Sequence, residues 1–80
     1  MNESIKNAAK EIVEKISQLP KDSEFRFGTY FKEYGFKTNE NFELFKEVRL
    51  LCESQGIVLE NTQAEMMLGM PWAFKYKKKN

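Results

Sequence analysis

The chain has 80 residues, 13 Lys plus Arg against 12 Asp plus Glu, 41% hydrophobic and 31% charged residues. That length holds one domain, and that composition is too apolar for a disordered chain. No apolar run approaches the ~20 residues that cross a bilayer. No basic segment followed by an apolar one opens the chain, so no secretory leader is expected and a cytoplasmic protein is the working assumption.

What is missing excludes most chemistry. The chain has no histidine, so it has neither the commonest general base nor a Ser-His or Cys-His nucleophile pair. A single cysteine, Cys52, allows no internal disulfide and no Cys-rich zinc site. A single aspartate, Asp22, rules out an Asp-rich calcium loop, and the four dispersed glycines form no phosphate-cradling motif. A non-enzymatic protein with no cofactor and no metal is therefore expected. Seven Phe, three Tyr and one Trp must supply much of a small core.

The elements follow in chain order. Ile5, Ala8, Ala9, Ile12, Ile16 and Leu19 form one apolar stripe at three- and four-residue spacing, which predicts a helix over Glu3–Gln18 stopped by Pro20. A turn at 21–23 leads to Glu24-Phe25-Arg26-Phe27, an alternating short strand. Thr29 is placed to cap a short helix, Tyr30–Tyr34, closed by Gly35 in the left-handed position with Phe36 as its apolar contact. Thr38 or Asn39 caps a third helix ending near Ser54, with Gly56 as its stop. Two strands follow, Ile57–Glu60 and Trp72–Tyr76, the second placing Trp72, Phe74 and Tyr76 on one face. The connection 61–71 reads either as a long loop or, from the capping box Thr62-Gln63-Ala64-Glu65, as a short helical turn. Antiparallel pairing of the two last strands is expected, with parallel pairing through a 62–68 helix as the rival.

The fold class is thus α+β: a single domain over 1–76 with three helices and a short antiparallel sheet ending in a hairpin, followed by a basic flexible tail, 77–80. The order helix, short strand, short helix, longer helix, two strands, with Leu19-Pro20 ahead of Glu24-Phe25-Arg26-Phe27, resembles the winged-helix domains of small bacterial and phage proteins. The resemblance spans Ile5 to Tyr76 and rests on element order. It implies that the third helix occupies the recognition position, that 61–71 is the wing, and that DNA is the usual partner.

The residues complicate that implication. On the third helix, Phe42, Leu44, Phe45, Val48, Leu51 and Cys52 fall on one wide core face, with Cys52 read as a buried small hydrophobe. The opposite face carries Glu40, Glu43, Lys46, Glu47, Leu50 and Glu53, with Arg49 at its edge, a poor surface to present to phosphates. It is either a solvated face or a docking face for a protein partner with a basic surface, with Leu50 as an apolar contact. Met66, Met67 and Met70, beside Leu68, load the wing with apolar side chains that either fold onto the core or form an adaptable interface, including a homodimer contact.

Charge divides along the chain. Residues 1–70 carry nine bases and twelve acids, whereas 71–80 carry Lys75, Lys77, Lys78 and Lys79 and no acid. Those lysines, with Arg26, Lys46 and Arg49, are the candidate phosphate contacts of a DNA-binding regulator, or else a solubilising terminus. A protein-binding module or inhibitor on a winged-helix frame is the first expectation, and DNA binding is the alternative.

Overall fold

The computed structural model describes residues 3–63 and 69–80. Helix α1 (Glu3–Ser17) buries Ile5, Ala8, Ala9, Ile12, Val13 and Ile16 on one side, the expected stripe widened by Val13. Gln18 and Leu19 close it with N–H bonds back to the carbonyls of Lys15 and Ile16, ahead of Pro20. The buried stripe lies chiefly against helix α3 (Thr38–Ser54), which contributes Leu44, Val48 and Cys52 to the same core.

Between them come strand β1 (Glu24–Arg26) and helix α2 (Phe27–Phe31). This helix begins three residues earlier than predicted, and Thr29 lies inside it rather than at its cap. The cause is Phe27. Its ring is fully buried, edge-on to Phe25, Phe45 and Tyr76 at centroid distances of 5.2, 5.2 and 4.8 Å. Continuing the strand would carry the chain past the point where that ring enters the core. Arg26 is the last extended residue (φ −123°, ψ 134°), and no side-chain bond caps the helix. Gly35 adopts φ 64°, as its position past a short helix requires, and Phe36 stacks on Tyr34 at 5.9 Å. At the start of α3 the cap residue is Lys37, not Thr38 or Asn39. Its backbone N–H donates to the Glu40 carboxylate at 3.0 Å.

The sheet has order β1-β3-β2, both pairings antiparallel, with β2 at Leu59–Asn61 and β3 at Lys75–Lys78. The hairpin thus pairs as expected, and its strands are displaced toward the C-terminus from the predicted 57–60 and 72–76. Pro71 starts a 3-10 turn, Pro71–Ala73, in which Ala73 N–H bonds the carbonyl of Met70. Trp72 and Phe74 therefore flank the sheet instead of lying along its face. On β3, Tyr76 points into the core opposite Phe25, while Lys75 and Lys77 lie on the other side.

The expected flexible tail at 77–80 is corrected by the same sheet. Lys77 and Lys78 are strand residues. Lys79 N–H bonds the Val58 carbonyl at 2.8 Å. The Asn80 side chain accepts from Val58 N–H at 3.0 Å and donates to the Gly56 carbonyl at 2.8 Å. Lys78 is only 8% exposed, and its ammonium donates to the carbonyls of Leu19 (2.7 Å) and Asn80 (2.8 Å). The positive group thus sits at the C-terminal end of α1, where the helix dipole favours a cation.

Lys78→Met keeps most of the buried stem and removes the donor, leaving the Leu19 carbonyl without its partner. Urea denaturation is expected to show a loss of about 1–3 kcal/mol. Lys77→Met, on the outward face, should stay within about 0.5 kcal/mol of the parent.

Candidate functional site

Helix α3 positions the residues singled out above, and the structure sorts them. Glu43, Lys46 and Glu53 are exposed, Glu47 is half-buried, and Leu50 is 53% exposed among them. Glu40 is partly withdrawn from this face because its carboxylate is engaged at the start of its own helix. Arg49 does not project outward either. Its guanidinium lies over the rings of Tyr76 and Phe45, 5.4 and 5.8 Å from their centroids. The acidic character expected of the outer face thus rests on Glu43, Glu47 and Glu53 against Lys46.

One residue of the expected core face is misplaced. Phe42 is 47% exposed, its ring edge-on to Trp72 at 4.7 Å. It lies on the side of α3 that faces the 71–74 segment rather than α1, so the turn at Pro71 meets it instead of the helical core.

Leu50 stands at the margin of a groove of about 490 Å³ between α3 and the segment entering β2. Phe45, Ile57 and Leu59 line it with apolar surface, Cys52 lies at its base, and Lys46, Arg49 and Glu53 supply its charged rim. Beside it, Val58 is 54% exposed. Sequence reasoning placed Ile57-Val58-Leu59 in a strand and found no function for it. Its signal was the unbroken apolar triplet: a chain that turns Ile57 and Leu59 toward α3 must turn Val58 to solvent. Met66 and Met67 lie outside the described residues. Met70 is 41% exposed and precedes the Pro71 turn, away from the residues lining the groove.

The cations proposed for phosphate contact are separated into different surroundings. Arg26, Lys75 and Lys77 share the outward face of the sheet. Lys77 has Glu24 and Glu60 as its two cross-strand neighbours, and Lys79 lies 3.9 Å from Glu60. Lys78 is on the inner face and engaged with backbone carbonyls, so it is corrected as a phosphate contact. Lys46 and Arg49 belong to the groove.

Among the described residues no group of three or more His, Cys, Asp or Glu is arranged to hold a metal ion. No helix among them is long and apolar enough to cross a membrane. No family model matches the chain, and no curated protein and no solved structure is significantly similar to it.

Burial pushes the Cys52 thiol up to about 11, the Arg49 cation opposing it more weakly. The thiol therefore stays protonated at neutral pH and is covered, two reasons for low nucleophilicity. An aromatic disulfide reagent at pH 8 is expected to label native protein slowly and denatured protein at once. Because the folded-state pKa lies above the unfolded one, this thiol's contribution to stability is complete below about pH 9. It is lost as the pH rises toward 11, which denaturant midpoints measured across that range will show as a steeper decline than in Cys52→Ala, where Tyr30, Tyr34 and Tyr76, also raised by burial, still contribute one.

Proposed function

We propose that this chain is a non-enzymatic protein-binding module on a winged-helix frame, and that the groove between α3 and the 57–59 segment receives its partner. The observation that carries the reading is Leu50, more than half exposed at the margin of a groove that Phe45, Ile57 and Leu59 line with apolar side chains. Exposed apolar residues that border a shaped concavity are the usual core of a docking surface, whereas an isolated exposed leucine has no such meaning.

Charge selects the partner. The outward ridge of α3 presents Glu43, Glu47 and Glu53 against Lys46, while the Arg49 charge lies on ring faces. A partner that offers an apolar side chain ringed by lysines or arginines complements that ridge. The acids would steer the encounter, and the apolar contact would hold it. The element order and the strand order β1-β3-β2 support the winged-helix frame. They do not by themselves favour DNA, because function resides in the site. Engagement of Lys78, pairing of Lys79 and the acidic neighbours of Lys77 weaken the phosphate-binding reading.

A partner recovered from host lysate and then purified allows a direct titration. Leu50→Asp is expected to weaken it by about 30-fold or more, the effect of a contact worth ~2 kcal/mol. Glu43→Lys with Glu47→Lys should slow association and reverse its salt dependence. Both variants should keep a native circular dichroism spectrum. Duplex DNA titrated at ~50 mM salt, where phosphate contacts are strongest, provides the opposing arm. If duplex binds the parent tightly and Leu50→Asp leaves every protein contact intact, the module reading fails.

A further inference from the structure

A second concavity, of about 380 Å³, opens between α2, the start of α3 and the Pro71 turn. It shares no lining residue with the groove above, and of its residues only Arg26 entered the functional reading, as a candidate phosphate contact. One wall is aromatic, formed by Phe31, Phe36 and Trp72. Gly28 lets that wall form. A Cβ at position 28 would stand 3.3 Å from the Trp72 carbonyl oxygen and 3.6 Å from its indole Cδ1, so the missing side chain lets Trp72 sit a few tenths of an ångström closer to α2 than another residue would.

The polar groups around this pocket are unspent. Arg26 and Lys32 line it; among the described residues no acid lines it and neither cation forms an ion pair. Arg26 is also the direct cross-strand neighbour of Lys75. Like charges directly opposite on one sheet face are unfavourable without a counter-charge. Asn41 also lines the pocket, and its Oδ1 is shielded from solvent with no hydrogen-bond donor. A shielded carbonyl of that kind is unfavourable unless something satisfies it. A turn of the amide into the pocket would offer it to a ligand N–H.

We propose that this pocket binds one nucleotide unit, its base against Trp72 and Phe36 with an edge N–H donating to Asn41, its phosphate held by Arg26 and Lys32. The requirements converge on that class. A flat aromatic group suits the wall. An N–H beside a ring acceptor suits the unpaired amide. A multiply charged anion suits two pocket cations with a third beside them. The volume falls within the range of small-molecule sites, roughly 300–1,000 Å³. The nucleotide is either free or the end of a single strand.

Trp72 is the only tryptophan, so its fluorescence reports on the pocket directly. Excitation at the red edge of indole absorption, during titration with adenosine monophosphate and thymidine monophosphate at ~50 mM salt, is expected to show saturable quenching. Adenosine and inorganic phosphate, each alone, should bind about tenfold more weakly or worse. Arg26→Ala and Lys32→Ala should each weaken the mononucleotide by about three- to tenfold with a native circular dichroism spectrum, and Lys21→Ala should leave it unchanged. A single strand of about 12 nucleotides distinguishes the sources. If mononucleotide competes the strand off, the pocket takes a strand end. If the strand does not bind, the ligand is the free nucleotide. Absence of saturable quenching up to ~10 mM mononucleotide, or quenching that survives both cation substitutions at parent affinity, overturns the proposal.

Discussion

Phe27 stands where the sheet meets the helices, and the burial of its ring dictates much of the surrounding geometry. The residue belongs to the alternating run that forms β1, yet its side chain must reach Phe45 on α3 and Tyr76 on β3 together. The backbone meets both demands by ending the strand at Arg26 and turning helical at once. That turn sets α2 close behind the sheet, where Gly28 admits Trp72. The aromatic cluster then continues through Phe31 to Trp72 and from Trp72 to Phe42. With one cysteine and no disulfide, a domain this small depends on large rings that each touch several elements.

The long helices were legible because their signal is periodic and local. Ile5 through Ile16 repeat at helical spacing, Pro20 and Gly56 stand where helices must stop, and α3 was placed within a residue or two of its start and at its observed end, Ser54. The short elements were less legible. Four residues of strand and five of helix contain too few periods to fix a boundary, and tertiary contacts decide it. Phe27 shows this for α2 and Pro71 for β3: each obeys a constraint from a neighbour far away in sequence. The antiparallel hairpin was readable from two apolar runs, but its register was not, since register depends on which side chains the helices accept.

The terminal lysines show why charge counting alone misleads. Lys77, Lys78 and Lys79 read as a free basic tail, although strand alternation continued from Lys75 separates them at once. Lys75 and Lys77 face outward, Lys78 faces inward to the end of α1, and Lys79 lies near Glu60. The sequence holds the alternation, but only the pairing of β3 between two strands makes it binding. The central strand of a sheet has no free edge and therefore no freedom to turn a lysine back to solvent.

The candidate docking groove follows from the same logic applied to α3. Its core face meets α1, so the flank toward the sheet is left to whatever the hairpin provides. At the N-terminal end the Pro71 turn provides Trp72, which meets Phe42. At the C-terminal end the segment entering β2 brings Ile57 and Leu59 alongside, while Gly56 and the Asn80 side chain hold that segment in place. Leu50 then has apolar neighbours on one side and stays more than half exposed among the described residues. The segment is held short of Leu50 because Ile57 N–H is bonded to the Cys52 carbonyl at 2.9 Å and Val58 is tied through both its N–H and its carbonyl. Closing the groove from within the described chain would require breaking those bonds. A side chain supplied from outside needs to break none, and that asymmetry is the physical reason to regard the groove as an interface rather than an imperfection of a small core.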